Sequence, residues 1–379
     1  MIIQSKKIWI ADQFVAAQLE IKDGKIVNIY NYNEKEVNKD YGENRILPGF
    51  IDIHCHGAYG FDTNHGEPEG LRKWAKGIPD EGVTAFLATT LTQSEEVLTK
   101  ALQNVANVVE SGYEGAEILG VHFEGPYLNK AHKGAQPEEY CIKPDIEQFK
   151  RYQEAAHGLI KYISMAVEND DDFAMTKYCS QNGVVVSIGH SNATYQQAVM
   201  AFANGARSMT HVYNAMTPFN HRANGLVGGA LRIRNMYGEI ICDGNHSTLA
   251  ALNNYFMSKG PDYSIMVSDA LMCKGYPAGS KFDFGGQEVV IYPDGSAHLV
   301  EAGNLAGSTL NLNKGLKILI EDALVPVNYA INACTSNPAR CLHIDDHKGY
   351  ICTGYDADLV VLDQNYDVIQ TYCKGIGQK

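Results

Sequence analysis

The chain has no Cys-x-x-Cys pair, no run of 18 apolar residues and no glycine-rich turn after an early apolar run. Each gap closes a route. Its nine cysteines are scattered and odd in number, which argues against a disulfide framework and against a thiolate zinc ribbon. No stretch is long enough to cross a bilayer as a helix. The start, "MIIQSKKIWIADQF", lacks a long apolar segment and a small-residue cleavage site, so it reads as a strand and turn and not as a signal peptide. A cytoplasmic setting is the expectation. The missing nucleotide turn speaks against an open doubly wound sheet, the runner-up architecture. Basic residues are also short, 31 against 44 acidic, for a net charge of −13. Nucleic acid and anionic membrane surfaces are therefore poor partners, while a local basic pocket can still take an anionic small molecule.

What is present is a globular composition. Of 379 residues 45% are hydrophobic, enough to bury one large core or two ordinary ones. Residues 1–48 alternate apolar and polar, with turn signals at "KDGK" (22–25) and "YNYN" (30–33). The stretch "GYDADLVVLDQNYDVIQTYCKG" (354–375) has the same character. The two ends, 1–48 and 345–379, are expected to pair into one small β-sandwich domain. The middle, 49–344, has another rhythm. Eight short apolar runs begin with "GFIDIHCHG" (49–57), "VTAFLATTL" (83–91), "ILGVHFEGP" (118–126) and "IKYISMAVE" (160–168). They continue with "VVVSIGHS" (184–191), "SMTHVYNAM" (208–216), "GEIICDGNH" (238–246) and "YSIMVSDA" (263–270). Segments such as "TYQQAVMAFANGA" (194–206) and "STLAALNNYFMSKG" (247–260) carry apolar residues at helical spacing between them. Eight buried strands with crossover helices predict an α/β fold of the (β/α)8 barrel type. A "PDG" turn inside 286–300 predicts a hairpin insert, a candidate lid.

The chemistry-bearing side chains fall at the ends of those runs: His54 and His56, Glu124, His190, His211 and Asp269. In a barrel the carboxyl ends of all strands converge on one face, where active sites sit. Side chains alternate along a strand, so His54 and His56 point one way and Cys55 the other. Four imidazoles and two carboxylates exceed what one tetrahedral ion takes. They suit two metals, or one metal and a spare half-site, and the donor types favour zinc or iron over magnesium or calcium. Singly, each has a plainer reading: a core histidine, or an aspartate capping a helix. Six such coincidences, each at a strand end, are less economical than one shared site.

At this point the sequence resembles the amidohydrolase superfamily and, within it, the N-acetylglucosamine-6-phosphate deacetylase family. The matching motifs are "PGFIDIHCHG" (48–57), "HFEGPYLN" (122–129), "GHSNAT" (189–194), "THVYNAM" (210–216), "DGNH" (243–246), "VSDA" (267–270), "LAGS" (305–308) and "GYDADLVVLD" (354–363). The resemblance implies that Glu124, His190 and His211 hold a main metal, and that His54 and His56 hold a second with Glu124 bridging. Asp269, at the metals, would act as general base and then as acid toward the leaving amine. For the substrate, a small phosphorylated amino sugar, it implies contacts from Asn214, Ala215, His246 and the loop Ala306, Gly307 and Ser308. Arg222 would pair with the phosphate across the interface of a homodimer. One departure stands out. Where some family members have a histidine that polarises the acetyl carbonyl, this chain has Gln136. An amide can donate there but carries no charge, and a second metal would take over part of that task. The galacto epimer is an alternative substrate. A cyclic-amide hydrolase with a bridging lysine on the fourth strand fits less well, because Lys161 lies at the start of that run. A non-catalytic barrel would be expected to have lost some of these ligands.

Overall fold

The computed structural model describes residues 1–378. All eight apolar runs of the middle segment are parallel strands: Phe50–Cys55, Val83–Thr90, Glu117–Glu124, Ile160–Met165, Val185–Ile188, Ser208–Met209, Gly238–Ile241 and Ser264–Val267. The first six form one curled sheet in chain order, and the last two pair with each other. Backbone hydrogen bonds bridge both seams. Val212 N donates to Glu239 O at 2.8 Å, and Asp269 N donates to His54 O at 2.8 Å.

Helices alternate with the strands. Ser94, Asp145, Thr194 and Thr248 each accept a backbone N–H of the first helical turn that would otherwise be unpaired, starting Glu95–Ser111, Ile146–Ala155, Tyr195–Ala203 and Leu249–Lys259. The pleat sorts side chains between two layers. Phe86 and Ala88 pack outward among the helices, whereas Ala85 and Leu87 fill the interior with Ile51, Ile53, Ile265 and Val267.

The two chain ends meet in one sheet. Arg45–Pro48 lies between Leu359–Leu362 and Ile2–Ile10, with Gln13–Lys22, Lys25–Asn31 and Val368–Cys373 further out. The tight turn at "KDGK" has positive φ at both Asp23 and Gly24, the backbone that a two-residue hairpin needs. Along the central strands alternate residues enter different cores. Leu47, Val360 and Leu362 join the helix-side cluster, and Ile46, Leu359 and Val361 join a separate one with Ile3, Leu19 and Ile26. After the eighth strand an insert of three antiparallel strands, Lys281–Phe284, Gln287–Ile291 and Ala297–Leu299, contains the expected hairpin. Among the described residues no helix is long and apolar enough to cross a membrane, and all nine cysteines are free thiols.

A buried ammonium ties the terminal sheet to the parallel strands. Lys348 Nζ lies 2.6 Å from Asp358, 2.8 Å from Glu117 and 2.9 Å from Asp356. Glu117 starts the third parallel strand, so this cluster spans the junction. Removing one partner of a buried ion cluster leaves uncompensated charge, at a cost of about 3–5 kcal/mol. Lys348→Met should therefore lower unfolding stability in a urea titration by at least ~3 kcal/mol.

Candidate metal centre

The strand-end side chains converge. Glu124 Oε1 lies 3.3 Å from His54 Nε2, 3.2 Å from His190 Nε2 and 3.3 Å from His211 Nε2. Its second oxygen is 3.2 Å from His56 Nε2. Asp269 Oδ1 lies 3.4 Å from His54 Nε2 and 3.3 Å from His56 Nε2. Two ligand-like groups result, His54–His56–Asp269 and Glu124–His190–His211. All six residues are buried.

Local backbone puts them there. A register shift between Asp52 and Cys55 changes the phase of the first strand. Ile51 and Ile53 fill the interior below, yet His54 and His56 reach the same interior above, and Cys55 packs outward. Bulges commonly re-aim side chains in this way. His190, His211 and Asp269 all have positive φ, at 47°, 30° and 49°. Non-glycine residues rarely adopt that conformation, and it persists where the surroundings over-determine it. At Asp269 they do: its N–H is bonded to His54 O and its carbonyl accepts Ser308 N at 2.7 Å.

Hydrogen bonds on the far ring nitrogens decide what the centre can hold. His190 Nδ1 donates to His132 O at 2.9 Å, and His211 Nδ1 to Asn214 O at 3.2 Å. A carbonyl only accepts, so both rings carry their proton on Nδ1. A neutral ring then presents a lone pair at Nε2, and these two Nε2 atoms stand 3.0 Å apart. Facing lone pairs repel unless a proton or a cation lies between them. His54 repeats the pattern: Nδ1 donates to Glu239 at 2.7 Å, and the buried Nε2 has no hydrogen-bond partner. Imidazole and carboxylate donors so arranged fit a divalent transition metal.

Without a cation the cluster neutralises itself with protons. Burial draws the His54 imidazole down, but Glu124, Asp269 and Glu239 outweigh it and hold the ring well above its ordinary value. Burial likewise opposes protonation of His56, and bonds to Asp269 and Glu124 push it up to about 9. Asp269 is raised by burial and lowered more by His54 and His56, to about 2. Glu124 is held well below the usual carboxylate range by His54 and His190 despite its burial.

A cavity of about 250 Å³ opens over the centre. Its wall includes Gln136, Asn214, Ala215, His246 and Gly307 from the expected substrate set, together with Phe284 from the insert. Gln136 Nε2 donates to Glu124 Oε2 at 2.6 Å and its Oε1 accepts Thr92 N, so it is bound to a candidate ligand carboxylate. His246 Nδ1 is bonded to Asp243 at 2.7 Å. Gly307 has φ of 48°, and a Cβ there would meet Leu271 and the Asp269 carbonyl at under 3.0 Å. Three expected contacts lie elsewhere. Ala306 is buried within the insert, with its N–H bonded to Ala297 O. Ser308 donates its hydroxyl to Ser268 O, behind the Asp269 loop. Arg222 is exposed on the 220–223 turn and does not line its own chain's cavity.

Sequence reasoning missed the layer beneath. Glu239 backs His54, and His122, Ser164, Ser187 and Thr210 form a buried chain with links of 2.6–2.7 Å. A signal existed: His122 stands two residues before Glu124, the same spacing as His54 and His56, and Glu239 is an acid inside an apolar strand.

Residues 45–376 match the amidohydrolase family. The chain is 38% identical over 362 residues to the N-acetylglucosamine-6-phosphate deacetylase of Bacillus subtilis (strain 168), covering 94% of this chain and 91% of that one. It is 31% identical over 367 residues to the N-acetylgalactosamine-6-phosphate deacetylase of Escherichia coli O157:H7, covering 97% and 95%. Among solved structures, a mutant N-acetyl-D-glucosamine-6-phosphate deacetylase from Mycobacterium smegmatis, in complex with N-acetyl-D-glucosamine-6-phosphate, superposes with a TM-score of 0.94 at 25% identity over 100% of this chain and 99% of that one. The N-acetylglucosamine-6-phosphate deacetylase from Thermotoga maritima gives 0.90 at 27% identity, over 100% and 99%. Similarity that runs from the terminal sheet through every strand bearing a candidate ligand leaves one assignment: this chain belongs to the amidohydrolase family.

Proposed function

We propose that the chain hydrolyses the acetamide of N-acetylglucosamine 6-phosphate to acetate and glucosamine 6-phosphate, with divalent metal at the strand-end centre. The observation that carries this reading is the convergence of inward-facing Nε2 lone pairs on Glu124 and Asp269. Glu124, His190 and His211 would hold one ion, and His54 and His56 a second, with Glu124 shared. Zinc suits the donors best and iron(II) is the alternative. Such an ion supplies Lewis acidity and makes water acidic enough to react at neutral pH. In the same reading, residues 49–344 are a closed (β/α)8 barrel, supported by the hydrogen bonds across both seams, and 1–48 with 345–379 form the β-sandwich domain around its own core.

The side chains divide the remaining work. Asp269 takes a proton from the attacking water and returns it to the sugar nitrogen as the C–N bond breaks, because an amine leaves well only when protonated. Gln136 spends one N–H on Glu124 and has a second for the acetyl oxygen. His246, held through Nδ1 by Asp243, offers Nε2 to a sugar hydroxyl. Asn214, Ala215 and Gly307 shape the wall, while Ala306, bonded to Ala297 O, and Ser308, bonded to Ser268 O, hold the Gly307 loop. In a homodimer Arg222 reaches the neighbouring cavity and pairs with the 6-phosphate, for which a guanidinium is well matched. Nine unpaired thiols accord with a cytoplasmic location.

Acetate release from N-acetylhexosamines with and without 6-phosphate, in gluco and galacto forms, tests the substrate. The gluco 6-phosphate should be turned over best, and Arg222→Ala should raise its KM at least ~10-fold, the scale of a lost charge-assisted pair. Equal rates on unphosphorylated sugar would remove the role given to Arg222. Asp269→Asn should lower kcat by roughly 10²–10⁴, the usual contribution of a positioned acid–base group, with the far-ultraviolet circular dichroism unchanged. The metal reading has its own pH dependence. In the metal-free chain the raised His56 pairs stabilise the fold fully below about pH 6.5 and fade as pH passes about 9. A cation must displace that proton, so apparent Zn²⁺ affinity should rise between pH 6 and 9 in competition with a chelator, with proton release in calorimetry. A flat affinity over that range would contradict it.

A further inference from the structure

Glu239 has no role in the scheme above, yet it is among the most costly residues in the fold. It lies within the seventh parallel strand, Gly238–Ile241, and is 0% exposed. Among the described residues its only ion-pair partner is His54, through Nδ1 at 2.7 Å, and no lysine or arginine reaches it. A carboxylate in the interior is expensive unless a positive charge answers it. A cation on the opposite nitrogen of the His54 ring is such a charge.

The four candidate imidazoles are backed unequally. His190 and His211 donate through Nδ1 to neutral backbone carbonyls, and the Nδ1 of His56 has no partner. His54 alone among them is backed by a carboxylate. Its opposite nitrogen faces Glu124 Oε1 at 3.3 Å and Asp269 Oδ1 at 3.4 Å, the region between the two half-sites. The neighbouring His122 ring packs edge-on at 4.4 Å but cannot substitute as a ligand, because Ile53 O and Ser164 Oγ occupy both its nitrogens.

We propose that Glu239 is a positioning residue: acting through His54, it makes the His54–His56–Asp269 group a competent second cation site. The proposal rests on the metal-dependent reading above. Glu239 keeps the His54 proton on Nδ1, fixes the ring plane and adds negative charge behind the ligand. Loss of such a partner ordinarily weakens metal affinity 10–100-fold.

The test is metal binding, not turnover. Chain stripped by a chelator is titrated with Zn²⁺ and Co²⁺, bound metal is counted by elemental analysis, and affinity is measured against a competing chelator. Wild type should take two ions. Glu239→Gln should keep the first at wild-type affinity and bind the second at least ~10-fold more weakly, with loss of the visible absorption of the second Co²⁺ equivalent. In a His54→Gln background the same substitution should change nothing further. Wild-type affinity for both ions in Glu239→Gln overturns the proposal, as does an equal weakening in the His54→Gln background. A wild type with one ion also sinks it while leaving the deacetylase reading intact. A wild type with none sinks that reading instead. Should Glu239→Gln not fold, Glu239→Asp keeps the charge but withdraws it from Nδ1 by one methylene, and unchanged second-ion affinity there is equally fatal.

Discussion

Imidazole nitrogens that face one another cannot share a small volume unless something positive lies among them. In this chain four such nitrogens and two carboxylates meet at the ends of five strands, and carbonyl or carboxylate acceptors on the far side of three rings dictate which nitrogen faces inward. Much else follows from that requirement. Left-handed backbone at His190, His211 and Asp269 is tolerated because seam hydrogen bonds and neighbouring loops hold it. Buried polar chains lie under the centre because ligands so close together need fixed supports. Repulsion among facing lone pairs and attraction for a cation are two sides of one geometry.

The strand pattern was legible because burial writes itself as short apolar runs, and all eight expected runs are strands. The six candidate ligands were legible because strands of this kind end on a common face. Glu239 was not, since a single acid in "GEIICDG" carries no periodic signal and its partner His54 lies 185 residues away. The insert was only partly legible. Its turn showed in "PDG", but that Phe284 would stand against the His56 ring, 5.6 Å away, depends on how the insert folds back. Ala306 and Ser308 are expected contacts as neighbours of Gly307 in one loop, but the left-handed backbone at Gly307 leaves the glycine on the cavity wall while Ala306 N is bonded to Ala297 O and the Ser308 hydroxyl to Ser268 O.

The terminal sheet serves the centre at a distance. Its strand Arg45–Pro48 runs directly into Phe50–Cys55, and its alternation shares Leu47 and Val360 with the helix-side core. The first ligand-bearing strand is thus anchored at its base by hydrophobic packing on one side and by the ion cluster around Lys348 near the third strand. Asp52 adds a nearer brace. Its carboxylate accepts the Ser268 hydroxyl, joining the strand of His54 to the residue before Asp269.

The irregular pairing between Asp52 and Cys55 has a consequence for how this site can vary. Below it the strand contributes hydrocarbon, above it nitrogen, and a single irregular step separates the two tasks. Were the strand to run regularly with all its residues kept, the phase of Ile51 and Ile53 would carry on to Cys55, and the rim would inherit a sulfur donor in place of an imidazole, a softer coordination sphere with different ion preferences. A shift of backbone phase at one step, with no ligand substituted, would be enough to rewrite the selectivity of the centre.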